Sequence, residues 1–225
     1  MGEVCPSLRC CRRPVEVLTV FPNVVRDFPQ ITGTVMITSQ ITGIDGTKIL
    51  MRGELISVLN DLHRKEPRSA NTRMNLAIFR LAVCCGLRVS EIGSLRLRDV
   101  YLVRPRPHIR IPRGAAKGGK PRTVPLWWDA GTLADLTAWK EQRLAEGAKE
   151  TDALIASRRH GGALSRYTLR KRFLTACKCL GNSRVHTLTI HHGRHTFISH
   201  ALAGGRSLAE VRDAAGHANV SITSG

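Results

Sequence analysis

The sequence predicts a mainly α-helical domain with one small antiparallel β-sheet over residues 50–225, preceded by a short segment of different character, residues 1–49. Three observations lead there. Leu55, Val58, Leu59 and Leu62 recur at spacings of three and four and make one apolar stripe along a helix. Met74 to Cys85 is apolar on nearly every side, as a central buried helix is. His108 to Ile111 and Arg122 to Leu126 read as strands flanking a Gly-rich basic turn, the pattern of a hairpin.

Taken in order, the stretch from Val15 to Val35 is rich in Val, Ile, Thr and Phe with Pro and Gly interruptions, which suggests short strands or irregular structure. The pattern turns helical at Leu50. His63 to Ser69, with Pro67, is expected to form a linker after the first helix. Gly86 closes the buried helix as a C-cap would, and a short helix is expected from about Arg88. Asp99 to Val103 adds a third strand. Helices are expected at about 130–145, 163–180, 190–203 and 207–215, with loops at Arg158 to Gly162 and Gly181 to Thr187. The sequence shows no internal repeat.

Composition excludes several classes. With 42% apolar residues the chain has ample material for a core and is not a disordered tail. The longest apolar run is interrupted by Arg80 and falls short of a membrane span, and no basic amphipathic helix with a Trp or Phe face is visible, so no membrane partner is expected. Seven cysteines, an odd count with two adjacent pairs, do not read as a disulfide framework and point to a cytoplasmic location. Neither Cys177 with Cys179 nor Cys5 with Cys10 and Cys11 has the gap zinc sites use, so no metal is expected.

The charge is informative through its placement. The chain holds 35 Lys and Arg against 17 Asp and Glu, a formal charge of +18, and +16 of it lies beyond residue 52. Val100 to Trp128 and Ala153 to Ala209 contain no acidic residue at all. Acid-free basic stretches suit a polyanion, because each phosphate neutralised releases counterions. Double-stranded DNA is the expected partner.

Four features stand apart from the scaffold. In GLRVSEI, Arg88 and Glu91 are three residues apart at the start of a helix. In AAKGGKPR, glycines let Lys117 and Lys120 project from a hairpin tip. In IHHGRHT, His191 and Arg194 share a helix face. In AAGHANVSIT, His217 follows a glycine at a helix end. Singly, each has an ordinary account: a helical ion pair, a solvated tip, satisfied histidines. Together they are the parts for holding a pentavalent phosphate. Arginines clamp the non-bridging oxygens and a Lys or His protonates the leaving oxygen.

At these residues the sequence resembles the tyrosine recombinases, or phage integrases, over roughly residues 50–225. GLRVSEI is similar to the family's first-arginine box, which implies Arg88 as a catalytic arginine supported by Glu91. RGAAKGGKPRTVPL resembles its β-hairpin, implying Lys117 as the catalytic lysine, and HHGRHTF and AGHANVSIT resemble the boxes that supply His191, Arg194 and His217. The resemblance implies the family's catalytic-domain fold and a 3′-phosphotyrosine route to DNA integration or recombination, without ATP, metal or other cofactor. It also implies assembly with other recombinase protomers on DNA. Arg113, Lys120, Arg122, Arg166 and Arg170 are the expected contacts to the DNA backbone.

Two departures shape the expectation. Gly193 stands where the family more often has leucine, which is expected to loosen packing slightly. The family's nucleophilic tyrosine usually lies nine residues after the histidine matched by His217, one position beyond Gly225, and neither Tyr101 nor Tyr167 matches that motif. Residues 1–49 also look unlike the helical domain that usually precedes the catalytic one. The sequence therefore reads as a fragment or decayed copy that binds DNA without cleaving it, or as a non-catalytic DNA-binding module. A metal-dependent nuclease using His191 and His195 is disfavoured by the lack of acidic residues nearby.

Overall fold

The apolar stripe of the first helix is buried as its spacing requires. In the computed structural model, which describes residues 46–103, 105–114 and 121–216, α1 runs over Arg52–Lys65 and buries Leu55, Val58, Leu59 and Leu62. The helix extends further than expected. His63, Arg64 and Lys65 are its last turn, held by Arg64 and Lys65 pairing with Asp61, and cations there also suit the helix dipole. The linker shrinks to a 3-10 turn at Glu66–Arg68, where Pro67 costs no needed N–H.

Helix α2, Ala70–Phe79, starts at the Ser69 cap and passes without a break into a π-helical turn at Arg80–Cys84. The wider turn is visible in the Cys85 N–H, which bonds the carbonyl of Arg80 five residues back. Gly86 then reverses the chain with φ +63° and sits directly under the Phe197 ring: a Cβ there would lie 2.4 Å from that ring. Helix α3 is Val89–Ser94, capped by the Glu91 carboxylate reaching back to the Arg88 N–H at 2.8 Å.

The sheet is β1 (Val100–Tyr101), β2 (His108–Ile111) and β3 (Arg122–Pro125), antiparallel and in that order. The first strand is shorter than expected: Asp99 belongs instead to a 3-10 turn, Leu97–Asp99, in which its carboxylate takes the Arg96 N–H, and the pairing ends at Tyr101. Ile109 opposite Val124 and Ile111 opposite Arg122 face the core.

Helix α4 is Ala130–Ala145 and α5 is Arg166–Ala176, each begun by a side-chain cap, Asp129 and Ser165. The expected loop after Gly181 is instead a short helix, α6, Asn182–Thr187. Its Arg184 reaches Glu54 at 2.6 Å and the carbonyls of Thr47 and Ile49, a tertiary clamp that local sequence does not announce. Helices α7 (Ile190–Ala203) and α8 (Leu208–Ala215) follow as expected, α8 ending on Gly216 in the left-handed conformation.

One core holds α1, α2, α4, α5 and the inner face of the sheet. A smaller apolar cluster of Trp128, Phe197, Ala201, Val211, Ala214 and Ala215 joins α7 to α8. Gly193, expected to loosen packing, does the opposite. A Cβ at that position would come within 3.0 Å of the Ala82 carbonyl, so its absence lets α7 lie against the π-turn. Among the described residues no helix is long and apolar enough to cross a membrane.

Candidate phosphate-binding site

The site is assembled where the start of α3, the middle of α7, the first residue of β3 and the end of α8 meet. Glu91, fully buried, is its centre. Oε1 accepts from Nη1 of Arg88 at 3.0 Å and from Nη1 of Arg122 at 2.6 Å, while Oε2 accepts from Nη2 of Arg122 at 2.8 Å. Burial alone would raise the Glu91 pKa. The Arg122 hydrogen bond and charge, followed by Arg88, overcome it and hold the carboxyl below its ordinary value.

Arg194 enters from α7 and is 2% exposed. Among the described residues it pairs with no carboxylate. Nη1 donates to the carbonyl of Gly86 at 2.8 Å and Nη2 to the carbonyl of Ala215. Burial, then the positive charges of Arg88 and Arg122, push its pKa below the ordinary value, with Glu91 opposing.

The end of α8 takes one bond from each arginine. Arg122 Nε donates to Ala214 O at 2.8 Å, Arg194 to Ala215 O, and Arg88 Nη2 to Gly216 O at 3.2 Å. Carbonyls at a helix C-terminus have no intrahelical donors and carry the negative end of the dipole, so they attract cations. Three guanidiniums thus surround one carboxylate and one helix end. Such a cluster is short of negative charge and suited to an anion.

His191, one turn before Arg194, is exposed at the edge of this cluster. Burial of part of its ring, then the charges of Arg194 and Arg88, lower its pKa, which favours the neutral imidazole. His195 packs edge-on to it with ring centroids 4.9 Å apart, and its Nδ1 is buried without a hydrogen-bond partner. Burial, then the histidine and arginine neighbours, push the His195 pKa down to about 4.

The structure therefore brings Arg88, Glu91, His191 and Arg194 into one place. Lys117, Lys120 and His217 lie outside the described residues, with His217 directly following the Gly216 carbonyl that Arg88 holds. Arg113, Arg166 and Arg170 are exposed. Arg122 is not among the surface cations where it was expected: its side chain is 8% exposed and turned onto Glu91. Strand alternation carried that signal, because Arg122, Val124 and Leu126 share a face and the latter two are core residues. The three carbonyls of α8 had no sequence signal, being backbone. Tyr101 stacks on His108 in the sheet, and Tyr167 lies on α5 with the Lys171 ammonium 4.6 Å from its ring centre. No group of three or more His, Cys, Asp or Glu side chains suited to a metal ion occurs among the described residues.

A helical core carries a three-stranded sheet, and an arginine cluster lies where the two meet. Solved structures share this fold. The XerA recombinase superposes with a TM-score of 0.62 at 22% identity, over 76% of this chain and 55% of that one. XerH, solved on its difH substrate in a post-cleavage complex, gives 0.60 at 25% identity over 76% and 46% of the two chains. In sequence, the tyrosine recombinase XerC of Chromobacterium violaceum is 36% identical over 163 residues, 72% of this chain and 50% of its own length. XerD of Halalkalibacterium halodurans is 31% identical over 181 residues, 78% of this chain and 55% of its own. The phage integrase family profile matches residues 51–225, and the chain belongs to that family. It spans about half the length of these curated relatives.

Proposed function

We propose that this domain binds duplex DNA and seats one backbone phosphate against Arg88 and Arg194, in the service of site-specific recombination. The observation that carries the reading is the charge imbalance at Glu91: Arg88 and Arg122 pair with one buried carboxylate, and Arg194 joins them at the end of α8 with only carbonyls as partners. In this reading Arg88 and Arg194 grip the non-bridging oxygens, and neutral His191 accepts or relays a proton at the phosphate edge. Lys117 and His217 take the roles their motifs imply, protonating the leaving oxygen and hydrogen-bonding the phosphate. Arg113 just after β2, Arg166 and Arg170 on α5, and Lys120 contact the neighbouring backbone. XerH and lambda integrase have been solved on DNA, the latter as a dimer. Further recombinase protomers are accordingly proposed as partners on the DNA.

We assign the attacking group to neither Tyr101 nor Tyr167, since neither matches the family's nucleophile motif and their ring contacts are with His108 and Lys171. The described residues bind and polarise the phosphate without breaking its ester. Two measurements test this. Anisotropy titrations of a labelled duplex across salt concentrations should show tight, salt-dependent binding that Arg88→Ala weakens. Binding that is insensitive to salt and to Arg88→Ala would sink the phosphate reading. A nicked suicide duplex should yield no covalent adduct, and an adduct mapped to Tyr101 or Tyr167 would overturn the non-cleaving assignment.

A further inference from the structure

Every polar atom of the Arg122 side chain is turned inward. Nη1 and Nη2 meet the two oxygens of Glu91 in a fork, and Nε meets the Ala214 carbonyl. The backbone of Gly216 closes over the stem: a Cβ added there would lie 2.6 Å from Arg122 Cδ, and at φ +67° only glycine is unstrained. All three nitrogens of this arginine are engaged inside the protein, and their placement bears on what Arg88 can do. Arg122 holds both Glu91 oxygens, so the Arg88 guanidinium reaches only Oε1, through Nη1, and gives its Nη2 to the Gly216 carbonyl, while the Arg88 backbone N–H caps on Oε2.

Resting on the phosphate reading above, we propose that Arg122 is a positioning residue. It neutralises Glu91 and braces the end of α8, which keeps Arg88 from closing into a bidentate pair with Glu91 and leaves it available to phosphate. Remove Arg122 and the nearest partner for the buried carboxylate is the second nitrogen of Arg88. A bidentate Arg88–Glu91 pair satisfies both groups, withdraws Arg88 from the ligand and leaves the carbonyls of Ala214 and Gly216 without their arginines. Arg122 would thus serve phosphate binding without touching phosphate.

The test is a binding cycle on the whole chain with a fluorescent mixed-sequence duplex, using wild type, Arg88→Ala, Arg122→Ala, the double variant and Arg122→Lys. Circular dichroism and thermal melting check that each is folded. Arg122→Ala should weaken binding as much as Arg88→Ala, roughly tenfold, the size of one charge-assisted contact. The double variant should bind no worse than either single one, with the salt slope of Arg88→Ala unchanged. Arg122→Lys keeps the charge but cannot fork across two oxygens, so it should restore only part of the affinity. It keeps the proposal testable should Arg122→Ala not fold. Losses that add in the double variant, or a further unit of salt slope, would show Arg122 touching phosphate itself and overturn the proposal. So would full affinity in Arg122→Lys or Arg122→Ala. If the wild type shows no salt-dependent binding, the phosphate reading fails first and this inference with it.

Discussion

Two buried arginine clusters lie on either side of Gly86 and are built to opposite plans. Before it, Arg80 opens the π-turn and is 3% exposed, with Nε on Asp135 at 2.6 Å and Nη1 on Asp129 at 3.2 Å. His63 holds the other oxygen of Asp135. Burial works against the Arg80 charge, but Cys84, Asp129 and Asp135 outweigh it and raise its pKa. After Gly86, Arg88 and Arg122 share the carboxylate of Glu91 while Arg194 holds only backbone carbonyls, and the Arg194 pKa moves the other way. A buried cation with carboxylates to spare is part of the scaffold, complete in itself. Buried cations that outnumber their carboxylates leave room for an anion from outside.

The contrast can be broken from either side. The largest expected effect is Arg80→Met, which leaves Asp129 without an arginine and Asp135 with only His63. It should cost about 4 kcal/mol in denaturant unfolding, as breaking a buried pair does. Any DNA binding by the folded fraction should keep its salt slope. A slope change would mean that the scaffold cluster also serves the ligand.

Glu91→Gln should cost nearly as much, about 3 kcal/mol, since Arg88 and Arg122 lose their shared counter-charge. It should also alter the acid response. The Glu91 pKa is lowered in the folded state, so its contribution is present above the unfolded carboxylate range and is lost as pH falls through the depressed folded value. Unfolding curves below about pH 4.5 should therefore be less steep in pH for Glu91→Gln than for wild type. Equal acid sensitivity in the two proteins would show that the arginines do not govern this carboxyl.

Gly193→Leu restores the residue more usual in the family, yet it should destabilise by about 1 to 3 kcal/mol, because the side chain must displace the π-turn backbone at Ala82. A gain in thermal stability would refute the close approach of α7 to that turn. His195 gives a smaller effect in a different pH window. Its folded pKa of about 4 lies below the ordinary histidine value of 6.5, so the unfolded chain takes up the proton first. Stability should be full above pH 6.5 and fall as pH drops toward 4. His195→Phe should flatten that slope, and an unchanged profile would assign it elsewhere. The smallest effect on stability is expected for Arg166→Ala with Arg170→Ala, both exposed on α5. The melting temperature should stay within error while the salt slope of duplex binding falls by about one unit per lost phosphate contact. An unchanged slope would turn α5 away from the DNA.

Much of this contrast was legible in the sequence, but unevenly. The stripe of α1, the Gly86 stop, the hairpin strands and the pairing of Arg88 with Glu91 all rest on local spacing, and local spacing survives folding. What was missed depends on distant partners. The π-turn that ends the buried helix begins at Arg80, whose partners Asp129 and Asp135 are distant in sequence, and the helix at Asn182–Thr187 is clamped by Arg184 reaching Glu54. Arg122 was read as surface because basic composition outweighed the alternation that buries its strand neighbours. Gly193 was read as a missing side chain, when the space it leaves is filled by another helix.

The shared carboxylate has a consequence for which state of a ligand the site would favour. Arg122 and Glu91 cancel, and Arg88 and Arg194 remain as two positive charges. Under the proposed function, a resting phosphodiester brings one negative charge and leaves the pocket undercompensated by one. A five-coordinate phosphorus midway through ester exchange spreads nearly a second negative charge over its equatorial oxygens. Against the summed charge of these four side chains that species is better compensated than the resting ester, so the cluster favours the fleeting state of the phosphate over its stable form.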